Sequence, residues 1–215
     1  MNAAKDCTLQ EKLLRCAMAL ILAAGALLAS VAASPAYAAP STVDVSIGGK
    51  IPYGGFATTW MSADGNIAYC AEPSSPTPEP GSYSTSPVPS GDVTAAIWYS
   101  FGSPGFDASM FPGSWYDGGG WDDAKYAAAS HVLIAYAYSG SESAATHGTS
   151  AEFASWAKSE LIGGTFAKMK AGAGKVSAGF EAFCVRTGGG SQTLVSFSWS
   201  TGGVKVAKAD SEAGA

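Results

Sequence analysis

Outside residues 1–38 the chain is sparing with groups that can do covalent chemistry. Of its 4 cysteines, Cys7 and Cys16 fall in that first stretch, leaving Cys70 and Cys184, and its 2 histidines are His131 and His147. Gln192 is the sole glutamine and Asn66 the sole asparagine beyond it. A thiol beside an imidazole can become a thiolate nucleophile, because the base lowers the thiol pKa. Were the fold to bring Cys70 and His131 side by side, they would be candidates for a hydrolase or acyl-transferase pair, with Asp122, Asp123 or Asn66 as candidates to orient the imidazole. Two structural readings compete. Cys70 can be a small buried hydrophobe with His131 a hydrogen-bonded packing residue, and outside the cytoplasm Cys70 and Cys184 can pair as a disulfide. His147, in a Thr-His-Gly-Thr-Ser loop, has no partner at metal spacing, and a zinc site needs about four ligands. It reads as a surface residue, and no metal or cofactor is expected.

A further candidate is aromatic. Trp115, Tyr116 and Trp121 lie among glycines near Asp117, Asp122 and Asp123. Rings exposed beside carboxylates can bind a sugar or a peptide, which makes a secreted carbohydrate-binding module the third functional reading. Against it, such rings often fold back as a local core under a long loop.

The elements that position these groups read as strands, long loops, helices and strands again. Residues 42–48 alternate like a first strand, and 66–71 follow the Asp64-Gly65 turn signal as a second. The proline-rich stretch 72–91 reads as an extended loop. Residues 92–101 fit a short helix or a buried strand equally. A second loop spans 102–121. Asp122 can cap a helix from about Asp123 to Tyr138 that stops at Ser139-Gly140, its apolar face made of Tyr126, Ala129, Val132, Leu133 and Tyr136. Ser150 can cap another from Ala151 into the 160s, with Phe153, Trp156, Ala157 and Leu161 on one face and Gly163-Gly164 weakening its end. Residues 180–186, 191–199 and 204–208 are strand-like. The order predicts an α+β fold: a mainly antiparallel β-sandwich or barrel with a helical insert.

The start of the chain reads as a cleaved export signal. Lys12 and Arg15 flank an uncharged run from Cys16 to Ala33, and Ser34-Pro35 precede the small-x-small site Ala36-Tyr37-Ala38. The run is near the ~20 apolar residues of a spanning helix, but the Ala-x-Ala ending favours cleavage. Of 12 basic and 17 acidic residues, cleavage removes Lys5, Lys12 and Arg15 and also Asp6 and Glu11, leaving nine basic against fifteen acidic. That balance gives no electrostatic footprint for nucleic acid or anionic lipid. The remaining chain is expected outside the cytoplasm, with no membrane contact after cleavage.

Tyr69-Cys70-Ala71-Glu72-Pro73, followed by Gly81-x-Tyr83, resembles the cysteine segment of thioester domains, the head domains of Gram-positive surface adhesins. The aromatic stretch and Gly-Pro-Gly-like loop of that family resemble Trp98-Tyr99-Ser100-Phe101-Gly102-Ser103-Pro104-Gly105. Its next helix, which begins Tyr-x-x-Thr-Gln, resembles the run from Tyr126 to Tyr136, and Ser191-Gln192-Thr193-Leu194 resembles a late strand. The resemblance covers about residues 43–200. Residues 203–210 look like the first strand of a Cna-B/SpaA pilin-type repeat, where Lys208 would form an isopeptide bond if the repeat were complete. No Leu-Pro-x-Thr-Gly anchor motif is present. The implied organisation is a signal peptide (1–38), a head (39–200) and a truncated repeat or linker (201–215).

What the resemblance implies is a Cys–Gln thioester that a host amine opens, fixing the adhesin covalently to a surface protein; a glycan is the other partner expected of an adhesin. On the resemblance the family's helix glutamine falls at His131 or, one step and about 100° around the helix, at Ser130. An imidazole has no acyl carbon to offer. The chain thus reads as an extracellular, cell-wall-associated or secreted adhesin head that has lost its thioester glutamine, since Gln192 lies on the late strand instead.

Overall fold

A computed structural model describes residues 39–200. The signal-peptide reading, the pilin-type repeat and Lys208 lie outside the described residues.

Six antiparallel strands close into a barrel in the order β1-β2-β3-β6-β5-β4. They are β1 (Thr42–Tyr53), β2 (Phe56–Ala63), β3 (Asn66–Cys70), β4 (Gly81–Pro87), β5 (Phe180–Arg186) and β6 (Leu194–Trp199). Between β4 and β5 the chain leaves the barrel for a helical insert: α1 (Gly91–Tyr99), α2 (Asp123–Ser139), α3 (Glu142–Ala145), α4 (Ala151–Trp156), a π-helical segment (Ala157–Phe166) and α5 (Ala167–Ala171). The protein is therefore an α+β fold with a helical insert on an antiparallel sheet.

Two tight turns set the first three strands. Gly54 and Gly55 both have positive φ, which suits the two-residue turn joining Tyr53 to Phe56, and a Cβ at Gly54 would collide with the Phe153 ring. Asp64 and Gly65 make the equivalent turn between β2 and β3. Their φ values of 50° and 78° lie in the left-handed region, and the Asp64 carboxylate accepts the Asp44 N–H at 2.9 Å.

Two expectations for this region differ from the structure. β2 was not foreseen, although Gly54-Gly55 between β-branched and aromatic residues is a hairpin signal. β4 forms inside the proline-rich stretch because Gly81–Ser86 is free of proline, and that run closes the barrel between β1 and β5.

The apolar groups separate into two clusters. One lines the barrel with Val43, Val45, Met61, Ala68, Phe183, Val185 and Leu194. The other fills the layer between barrel and helices with Ile51, Tyr69, Ile97, Val132, Leu133, Phe153 and Leu161. Residues 92–101 resolve as helix α1, since Val93, Ala96 and Ile97 bury one helical face. α2 begins and ends as the sequence predicts: the Asp122 carboxylate accepts the Lys125 N–H, and Gly140 at φ 68° terminates it. It is not one-sided, however. Every residue from Ala127 to Ala135 is buried, because the helix runs between α1, β1, β3 and the π segment. The helix from Ala151 also runs past Gly163-Gly164. Burial of Leu161, Ile162, Phe166 and Met169 outweighs a glycine cost of about 1 kcal/mol each.

Candidate functional site

Cys70 is the last residue of β3 and pairs with Leu194 of β6. The ladder continues one step further, with the Ala71 N–H donating to the Thr193 carbonyl at 2.9 Å. Gln192 is thus diagonal to Cys70 across an antiparallel pair and shares its face, a spacing that long side chains can bridge. Two bonds hold the glutamine there. Its N–H donates to the Pro76 carbonyl at 3.0 Å, and the Glu72 carboxylate accepts the Thr193 N–H at 2.9 Å. Residues on either side of Cys70 and Gln192 are thereby tied together.

The side chains converge on a small cavity of about 50 Å³, bordered by Tyr53, Phe56, Thr58, Cys70, His131 and Gln192. No carboxylate, lysine or arginine lines it. Cys70 and Gln192 are 5% and 3% exposed, so the thiol and the carboxamide face each other almost without water. Burial pushes the Cys70 thiol up to about 11, against hydrogen bonds from Thr58 and Gln192 that favour the thiolate. The Gln192 Oε1 is buried and has no hydrogen-bond partner among the described residues. A buried amide oxygen left unpaired costs about 1–3 kcal/mol, and native proteins seldom tolerate it without a reason.

His131 stands beside the cysteine in a different role from that of a catalytic base. Its Nδ1 accepts the backbone N–H of Cys70 at 3.1 Å, and the Tyr69 ring meets it edge-on at 4.9 Å. Burial holds its pKa down at about 3, so the imidazole is neutral. An activated thiolate–imidazolium pair needs a depressed thiol and a protonated ring, and both groups are shifted the other way. Asp122 caps α2, and Asp123 is exposed in its first turn. Ser130, the neighbouring position on the helix, accepts the Phe101 N–H at 3.0 Å.

The disulfide expectation is corrected: Cys70 and Cys184 are both free and buried. Strand β6 separates them, with Cys70 opposite Leu194 and Cys184 opposite Val195. Adjacent residues of a strand point to opposite faces, and two strand spacings are about 9–10 Å, beyond the ~7 Å limit for a bridge.

The loop aromatics do not form a groove. Trp115 is 4% exposed and packs on Phe153 and Trp156, with centroids 5.6 and 5.1 Å away. Tyr116 meets Phe153 at 5.3 Å. Trp121 stacks on Tyr126 at 4.7 Å and donates its indole N–H to the Pro112 carbonyl at 2.8 Å. These rings pack as a local core under the 102–121 loop, with Trp115 buried and Tyr116 and Trp121 half-buried, which is the packing alternative to the binding expectation for the three. His147 is exposed.

Sequence reasoning missed Thr58, whose hydroxyl lies 3.5 Å from Cys70 Sγ. It also set Gln192 aside as Cys70's partner. The Gln-x-Leu pattern at the start of a strand was the available signal, but its register against Cys70 was not.

Among comparisons with known proteins, the family described as the thioester domain matches residues 42–164. The match takes in Thr58, Cys70 and His131 and ends before Gln192. No curated protein and no solved structure matches the chain.

Proposed function

This chain belongs to the thioester-domain family, and on that premise we propose that it is an adhesin-type head whose Cys70 and Gln192 close an internal thioester. Thioester domains are typically parts of bacterial surface proteins, and among the described residues no helix is long and apolar enough to cross a membrane. On that family habit alone the working head is read as extracellular, and its partner is a primary amine on a host or neighbouring cell surface. The observation that carries the reading is the Gln192 carboxamide, buried against Cys70 with its Oε1 unpaired. This departs from the expectation that the glutamine at the His131 position was needed, since the acyl carbon comes from β6's leading edge and not from α2.

The chemistry balances. Cys70 Sγ forms a bond to Gln192 Cδ, the C–N bond breaks, and ammonia leaves with the thiol proton. The acyl group is then held in a nearly dry site until an amine attacks Cδ and the sulfur leaves as thiolate. Diagonal placement across β3 and β6 supplies the proximity that makes such a closure effectively unimolecular.

Intact-mass measurement of the protein tests the reading. The wild type is expected one ammonia lighter than its sequence, with methylamine adding its own mass to that species. Gln192→Ala is expected at its full sequence mass and inert to methylamine. A wild type at full sequence mass with a freely alkylated Cys70 would defeat the proposal.

A further inference from the structure

Thr58, on β2, is 6% exposed, and the sulfur of Cys70 is within reach of its hydroxyl. Where that hydroxyl's hydrogen points follows from its neighbours. The Cys70 amide N–H can only donate, and its acceptor is His131 Nδ1 at 3.1 Å. Nδ1 therefore carries no proton and its lone pair is taken. The ring is neutral, so its proton is on Nε2. Thr58 Oγ1 is 3.4 Å from both ring nitrogens. A point equidistant from them lies in the plane that bisects the ring through Cε1, off the axis of either nitrogen. The imidazole thus offers Thr58 no aligned acceptor. The remaining acceptor in reach is Cys70 Sγ at 3.5 Å.

We propose that Thr58 is a catalytic residue of this site, donating its hydroxyl hydrogen bond to the Cys70 sulfur while the thioester opens. The inference rests on the Cys70–Gln192 reading and adds to it the group that stabilises the leaving sulfur. As the amine nitrogen bonds to Gln192 Cδ, the C–S bond breaks and its electron pair goes to Sγ. Thr58 holds that thiolate by a charge-assisted hydrogen bond. The surplus proton of the former amine then moves to sulfur, leaving an amide and a thiol. The site needs such a donor because nothing charged lines the cavity. The titratable groups beside the sulfur are His131 from α2 and Tyr53 from β1, and burial keeps the first neutral and raises the second.

Two variants and two readouts test this. Thr58→Val keeps the volume and removes the donor; Thr58→Ser keeps the donor. Rates of methylamine opening, followed by intact mass, are expected to fall about ten- to hundredfold for Val, the effect of a hydrogen bond to a charged group, and to stay within about threefold for Ser. The second readout places Thr58→Val on Gln192→Ala, where no thioester can form, and follows iodoacetamide alkylation of Cys70 against pH. The profile is expected to move to higher pH without the hydroxyl. An unchanged opening rate and an unchanged profile in the folded Val variant would overturn the role of Thr58 and leave the thioester standing. A wild type with no ammonia deficit would overturn the thioester, and the alkylation profile alone would then judge the bond to sulfur. Thr58→Ala replaces Val in both measurements if circular dichroism shows Val unfolded.

Discussion

Cys70 and Cys184 occupy β3 and β5 on either side of β6, both are buried, and burial pushes both thiols up to about 11. Their surroundings differ. Cys184 follows Ala182 at the two-residue spacing of one strand face, and both lie in the apolar layer that meets the helices. Cys70 ends its strand, where the barrel opens to a cavity holding a hydroxyl, an imidazole and a carboxamide. Burial and acidity thus do not distinguish the two thiols. What separates them is an acyl carbon in reach, which a strand end can supply and a strand interior cannot.

The largest test of that contrast is all-or-none. Cys70→Ala is expected to abolish the ammonia deficit in the intact mass, whereas Cys184→Ala keeps it in full. Loss of the deficit in both variants would show that the two thiols are not separate in function.

A middle-sized effect concerns the imidazole that holds the Cys70 amide. His131→Leu leaves a buried N–H without its acceptor and is expected to cost about 2 kcal/mol in urea unfolding. His131→Gln restores an acceptor and recovers most of it. The ring also carries a pH signature. Its folded pKa of about 3 lies below the ordinary value near 6.5, so the unfolded chain takes the proton first. The contribution to stability is complete above about pH 6.5 and is lost as pH falls toward 3, with a slope of up to about 1.4 kcal/mol per pH unit. His131→Gln is expected to remove that share of the acid slope. An identical slope in wild type and variant would show that the ring is not buried neutral.

The smallest expected effect is at the clamp between the segments that carry Cys70 and Gln192. Glu72→Gln keeps an acceptor for the Thr193 N–H but loses the charge, at a cost of about 1 kcal/mol or less. The ammonia deficit should persist, and its disappearance would mean that the carboxylate does more than tie the strands.

Much of the fold was legible along the chain. The cap at Asp122, the stop at Gly140, the Asp64-Gly65 turn and the strand patterns at 66–71 and 180–186 are local signals, each carried by a few consecutive residues. β4 was hidden because its pairing partners, β1 and β5, are distant in sequence, and its own residues, mostly serine and threonine, bury little. The face of α2 was misread as one-sided because a helix enclosed on all sides shows no polar stripe to orient it. Trp115 and Trp121 looked exposed for the converse reason: glycine-rich flanks suggest a loop, and only the position of Phe153 and Tyr126 turns the rings inward.

The sequence by itself determined the family, the cysteine segment and the helix that brings His131 to it, because motifs and periodicity are short-range properties of the chain. Only the tertiary structure decided which side chain Cys70 faces. That choice depends on the register of β3 against β6, strands more than a hundred residues apart, and a one-residue slip would turn Gln192 to the other face of the sheet.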